Sequence, residues 1–237
     1  MTAAAPSFRV CYMASVWIER RYRGPDDSGN GGYTCGLVAA HVDGDAEVTL
    51  RLPPALETEL RVERDGDELR VLGGDRVVAE ARPAALELKP PEPVVFELAA
   101  ERSAAAADDP EHPFPHCFVC GPAREPGDAL RLRPAPIGGG RVAAVWLPTG
   151  EQAGRPELVW AALDAGAFAI DPHFDRGVSV LGRLHARVAD TPAVGEPCVV
   201  VGWPLGEDGR KRYAGTALFG DRDRVLGLGR ATWILLR

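Results

Sequence analysis

The sequence predicts an α+β fold in which one plan, a helix against an antiparallel sheet, occurs twice along 237 residues. Three observations carry this expectation. Segments of alternating apolar and polar residues recur at hairpin spacing, each half holds one apolar stretch of helical length, and the pieces follow the same order in both halves. The two halves share this order far more than they share residues.

In the first half, Phe8 to Arg23 alternates and is rich in Val, Tyr, Trp and Ile, which favours a strand. The turn-rich stretch GPDDSGNGG, from Gly24 to Gly32, follows. It leads into YTCGLVAAHV, a small-residue helix with Ser28 or Asn30 as its N-cap. From Ala46 onward come AEVTLRL, then ELRVERDGDELRVL bending at Asp65-Gly66, then RVVAEARPA after Gly73-Gly74. In the second half, strands ALRLRPAPI and RVAAVWLP flank Gly138-Gly139-Gly140, and the apolar run from Leu158 to Ile170 supplies the helix. Four strands at hairpin spacing complete it: VSVLGRLHARVAD, PCVVVGWPLG, KRYAGTALFG and RVLGLGRATWILL. Between the halves, Lys89 to His116 has prolines at both ends and a helix-favouring centre, VFELAAERSAAA, which predicts a linker carrying one exposed helix. The domains are therefore expected at 1–90 and 116–237, joined by a Pro/Ala-rich linker over 91–115.

Composition removes several classes of function. A hydrophobic content of 46% with 26% charged residues is ordinary for a globular protein, so a disordered chain is not expected. With 34 acidic against 27 basic residues the net charge is −7, and no basic stripe is present, which argues against binding nucleic acid through its phosphates. No apolar run reaches the ~18 residues of a membrane span, and the N-terminus lacks a signal-peptide pattern. A cytoplasmic protein is the simplest expectation. Five scattered cysteines do not form a disulfide framework. No nucleotide-binding glycine motif follows a strand, no serine lies in a GxSxG elbow, and no cofactor is expected.

One residue breaks the pattern. Asp164 is the sole charge in LVWAALDAGAFAI and is expected in mid-helix, too far from either end to act as a cap. A carboxylate buried there costs several kcal/mol unless it is paired, hydrogen-bonded or facing a cavity. Two readings follow: a structural carboxylate held by the backbone or by an arginine such as Arg183 or Arg187, or the acid of a functional pocket.

Three motifs carry a family resemblance. Asn30-Gly31-Gly32 followed by YTCGLVAA resembles the His-Gly-Gly helix start of phenylacetyl-CoA-type thioesterases, with asparagine in place of histidine. ALDAGAFA, Ala162 to Ala169, is similar to their mid-helix ADTAFA element, with Asp164 on the catalytic acid. CFVCGPAREPGDALRL resembles the CxxCG…NPxGL segment that precedes the first strand of many such domains. With the motifs spread over both halves, the chain resembles a double hotdog of the acyl-CoA thioesterase superfamily: two tandem units, each an antiparallel sheet wrapped around a central helix.

The resemblance implies a site shared between the halves, with backbone N–H groups at one helix start holding the thioester carbonyl and an acid on the other helix. The first helix has Gly31-Gly32 but Val38, Ala39 and Ala40 where an acid would sit. The second has Asp164 but starts at Arg155-Pro156-Glu157, where Pro156 has no N–H. One site is thus expected from Asn30, Gly31, Gly32 and Asp164, with Asp27, Ser28, Tyr33 and Trp160 as substrate contacts. The counterpart built on Pro156 and Ala39 should be dead. The implied reaction is hydrolysis of an acyl-CoA or acyl-carrier thioester, with Asp164 as base or nucleophile. The alternative is a non-catalytic acyl-thioester or lipid-binding protein, working like the enzyme as a monomer or homodimer. A dehydratase is a third possibility, but the resemblance would then imply a histidine close to an Asp or Asn on the helix, and none stands near Asn30 or Asp164.

Blander readings stand beside these. Asn30 caps a helix, and Gly31-Gly32 permits close packing. Cys117 and Cys120, near His112 and His116, supply two thiols where structural zinc wants four ligands, so no metal is expected and a packed turn is the simpler reading. His41, His173 and His185 are isolated. Trp160, Trp203 and Trp233 read as packing, with a role for one of them in lining an acyl pocket.

Overall fold

The structure is a computed structural model that describes residues 11–106, 112–171 and 175–236. The expected strand start at Phe8, His173 and residues 108–111 of the domain boundary lie outside the described residues.

Among the described residues eleven strands form one antiparallel sheet. In the first half these are β1 (Cys11–Val16), β2 (Ala46–Leu50), β3 (Leu60–Asp65), β4 (Glu68–Gly73) and β5 (Arg76–Pro83). The second half supplies β6 (Ala135–Gly138), β7 (Arg141–Trp146), β8 (Ser179–Val188), β9 (Cys198–Asp208), β10 (Lys211–Phe219) and β11 (Val225–Leu235). Across the sheet the order is β1-β3-β4-β5-β2-β8-β11-β10-β9-β7-β6. Each half therefore has the same internal order, mirrored about the β2–β8 junction, with β6 added at one edge. At that junction Val48 pairs with Leu184 and Thr49 with Arg183. The predicted hairpin bends are present: Gly66 at φ +61° and Gly74 at φ +62° take the left-handed backbone that these two-residue turns require.

Among the described residues three α-helices join the sheet: α1 (Gly31–Ala39), α2 (Phe96–Ala105) and α3 (Pro156–Leu163). Alternate strand residues point at α1 and α3. Leu60 and Val62, Leu69 and Val71, Ala79 and Ala81 do so in the first half, and Leu184, Ala186, Val200 and Leu218 in the second. Each large side chain buried there stabilises by ~1.5–3 kcal/mol. One core runs through both halves without a break.

The helix expected over Leu158–Ile170 is shorter than the apolar run. It ends at Leu163 and tightens into a 3-10 turn over Asp164–Ala169, so Asp164 sits at a helix end and not in mid-helix. Gly166 in this turn presses so closely on β10 that an added Cβ would lie 2.2 Å from Thr216 Oγ1, an approach that belongs to tertiary packing and not to helix periodicity. ALRLRPAPI is likewise mostly irregular, and only Ala135–Gly138 pairs. The linker helix α2 exists, but one side of it is buried. Ala99 packs on the face of the second-half sheet opposite α3, together with Val199, Val201, Ala217 and Phe219.

The helices α1 and α3 run antiparallel in direct backbone contact. A Cβ on Gly32 would come within 2.7 Å of the Trp160 carbonyl, and one on Gly36 within 2.6 Å of Glu157 Cα. Spaced by one helical turn, the two glycines remove the side chains that would hold the helices apart. Gly36→Ala is therefore expected to lower stability by about 1–3 kcal/mol, read as a shift of the urea midpoint. An unchanged midpoint would contradict so close a contact.

Candidate functional site

The antiparallel packing sets the start of α1 beside the end of α3. Asn30 is the N-cap of α1: its Oδ1 accepts the Tyr33 N–H at 2.9 Å, and the Thr34 hydroxyl donates to its carbonyl at 2.8 Å. With Oδ1 committed to the cap, Nδ2 must point outward. It donates to Asp164 Oδ2 at 2.7 Å and lies 3.8 Å from Cys117 Sγ.

Asp164 is buried, and among the described residues its Oδ1 has no hydrogen-bond partner. Burial pushes its carboxyl up from 3.8 to about 7, while the Asn30 amide and the Gly32 N–H, which both favour the charged form, hold it down. The position at the C-terminal end of α3 opposes ionisation, and the facing N-terminus of α1 favours it. Among the described residues no arginine compensates it. Arg183 binds Glu47 and Thr49, and Arg187 binds Asp45 and the Leu86 carbonyl.

Asn30 and Asp164 open onto a cavity of about 310 Å³ with predominantly apolar walls, among them Leu52, Phe114, Val119, Leu181 and Trp233. Gly31 lies in its wall, and no hydrogen bond is made by the Gly31 amide among the described residues. Ser28 lines the cavity too. Asp27 is exposed on the same loop and does not line it. Gly32 touches the Asp164 side chain from outside the wall.

Tyr33 and Trp160 are buried and absent from the wall. Tyr33 stacks on Tyr22 at 4.0 Å between ring centroids and receives a long hydrogen bond from Arg155 at 3.4 Å. Trp160 is occupied in the helix contact through its backbone. Of the three tryptophans weighed for an acyl pocket, Trp233 is the one in the wall.

At the pseudo-symmetric position, Arg155 occupies the N-cap of α3 without a side-chain capping bond, and its guanidinium is taken by Glu157 and Tyr22. Ala39 replaces the acid there.

Sequence reasoning missed Phe114, Leu181 and His112 as wall residues and read Cys117 and Cys120 only as a packed turn, yet both thiols line the cavity. The one signal available for them was the CxxCG motif. Among the described residues no cluster of three or more His, Cys, Asp or Glu is arranged to hold a metal, and His116 binds Asp26 at 3.0 Å. No helix among the described residues is long and apolar enough to cross a membrane.

The raised Asp164 carboxyl has a consequence for stability. Below about pH 4 the group is protonated in both folded and unfolded chains, and between about 4 and 7 only the folded chain keeps the proton. Asp164 therefore makes stability fall as pH rises through that window, by on the order of 4 kcal/mol at ~1.4 kcal/mol for each tenfold in acidity. Asp164→Asn, which does not titrate there, is expected to be level with the wild type at pH 4 and more stable by up to about 4 kcal/mol at pH 8, by denaturant unfolding. A variant less stable at pH 8 would contradict the raised carboxyl.

No protein-family model matches the sequence, and neither does any curated protein. Solved structures are similar over nearly the whole chain. A provisionally assigned thioesterase from Novosphingobium aromaticivorans is 12% identical with a TM-score of 0.64, the match covering 94% of this chain and 95% of that one. A conserved protein of unknown function from Alicyclobacillus acidocaldarius, described as having a hot dog fold, is 11% identical with a TM-score of 0.64, covering 94% and 92%. The dehydratase domain of PpsC from Mycobacterium tuberculosis, solved in complex with C12:1-CoA, is 14% identical with a TM-score of 0.57, covering 94% and 92%. With its large antiparallel sheet and few helices, this chain has the hotdog fold.

Proposed function

We propose that this chain is a double hotdog, with units at 1–90 and 116–237 joined through 91–115, and that it hydrolyses an acyl thioester at one site between them. The observation that carries this reading is a buried carboxyl with one free oxygen facing an apolar cavity, beside the unpaired first-turn amide of a helix from the other half. The mirrored strand order and the β2–β8 pairing support the duplication.

Asn30 holds Asp164 Oδ2, which leaves Oδ1 to take a proton from water. A carboxyl near 7 suits a general base at neutral pH, because it is both partly ionised and basic enough to accept the proton. The Gly31 amide, at the positive end of α1, supports the carbonyl oxygen as negative charge develops. The roles of base and oxyanion donor fall on opposite halves, and Ala39 and Pro156 leave the counterpart without either.

At about 310 Å³ the cavity sits at the low end of the ~300–1,000 Å³ typical of small-molecule sites, which suits an acyl group and not a whole coenzyme A. The acyl-CoA seen with the PpsC dehydratase domain shares this choice of ligand class. Substrate is therefore an acyl-CoA or an acyl-carrier thioester.

The test is steady-state hydrolysis across a panel of acyl-CoA esters. Asp164→Asn is expected to lower kcat about 10²–10⁴-fold, the usual worth of a general base, with the fold retained by circular dichroism. In the wild type kcat/KM should climb with pH and level off above about 7, because the base works only when ionised. Full steady-state turnover in Asp164→Asn would overturn the reading. Retention of an acyl ligand in native mass spectrometry, with no turnover on any ester, would favour a binding protein.

A further inference from the structure

The proposed hydrolysis leaves two thiols of the cavity without a task. Cys117 and Cys120 line the same wall as Asn30 and Asp164, and both are reduced. Their loop is firmly built. Gly121 donates to the Cys117 carbonyl at 2.9 Å, Phe118 to the Arg23 carbonyl at 2.8 Å, and Leu132 to the Val119 carbonyl at 2.8 Å. A Cβ on residue 121 would fall 2.5 Å from the Cys117 nitrogen, so the glycine permits the turn. The Phe118 ring anchors the loop against Tyr22 at 4.8 Å.

This turn sets one sulfur against a site donor. Asn30 Nδ2 donates to Cys117 Sγ at 3.8 Å, and Cys120 shares the cavity wall with it. The neighbouring Cys120 thiol holds the Cys117 thiol below its usual range, against burial and the Asp164 charge, which push it up. Cys35, buried in the core, is pushed up by burial instead. Donor-rich surroundings are those of a nucleophilic cysteine, apolar ones those of a packing cysteine. The same Asn30 amide also bonds Asp164, so a single group ties the thiol to the carboxyl.

We infer that Cys117 is a second reactive residue of the cavity, an acyl acceptor that takes the acyl group from the substrate thioester before water does. This rests on the acyl-thioester reading of the site. Cys117 Sγ attacks the carbonyl carbon, a new S–C bond forms, the carrier's C–S bond breaks, and the Cys117 proton ends on the departing thiol. Water then attacks the acyl–Cys117 thioester. Asp164 takes a proton from the water, the acid leaves, and that proton returns to the Cys117 sulfur. Splitting the reaction in this way is the ordinary advantage of a covalent intermediate.

The test is trapping. The full chain is mixed with hexanoyl-CoA or phenylacetyl-CoA, quenched in acid and mapped by peptide mass spectrometry. An acyl adduct on Cys117 is expected, accumulating to about one per chain in Asp164→Asn as a single burst of thiol release, since step two lacks its base. Cys117→Ala should lose the adduct, and Cys120→Ser should keep it. In the wild type, where folding is not at issue, iodoacetamide should alkylate Cys117 about tenfold faster than Cys35 or more, and acyl-CoA should slow it. No adduct in Asp164→Asn overturns the inference. If wild-type turnover continues and Cys117→Ala matches it, only the covalent step falls. If wild-type and variant proteins neither turn over nor acquire an adduct, the hydrolytic reading falls with it.

Discussion

The hydrogen bond from Asn30 to Asp164 joins the N-cap of α1 to the C-cap of α3, and the rest of the site is arranged by it. It exists because the two helices run antiparallel with their backbones in contact at Gly32 and Gly36. Asn30 can make it only because its carbonyl oxygen is already committed to capping α1. A cap, a helix contact and a buried acid are thus one construction. Widening the helix spacing would loosen all three.

The two halves follow one plan but carry different residues at equivalent places. The sheet is a mirrored repeat about the β2–β8 junction, so each helix start faces the other helix's end. A site needs a capping side chain that can hold an acid and an acid to be held. The first half supplies Asn30, the second supplies Asp164, and the reverse pair is Arg155 and Ala39. Arg155 instead anchors an aromatic cluster with Tyr22 and Tyr33, which gives the vacated end a packing role.

Much of this was legible in the residues. Alternation and the Asp65-Gly66 and Gly73-Gly74 bends located β3, β4 and β5, and the lone charge of an apolar run singled out Asp164. Asn30 and Gly31 were legible as a helix start, and their meeting with Asp164 across 134 positions followed from the resemblance and not from any local pattern. What stayed hidden depends on tertiary contact. The change to a 3-10 turn after Leu163 arises where Gly166 meets β10, and an apolar run carries no mark of it. The burial of α2 needs a second apolar face on β9, where consecutive valines serve opposite sides of the sheet. Tyr33 directly follows Gly32, but successive helix positions point away from one another, and Trp160, one turn before Asp164, is taken up in the helix contact at Gly32 and Gly36.

The site depends on Asp164 being a buried carboxyl poised between its charged and neutral forms by Asn30. Carboxyl-carbon NMR of the uniformly labelled chain, with Asp164→Asn used to assign the resonance, measures this directly. Titration near pH 7, moving higher still in Asn30→Ala, is the result the account predicts. A midpoint near pH 4, indifferent to Asn30, would contradict it.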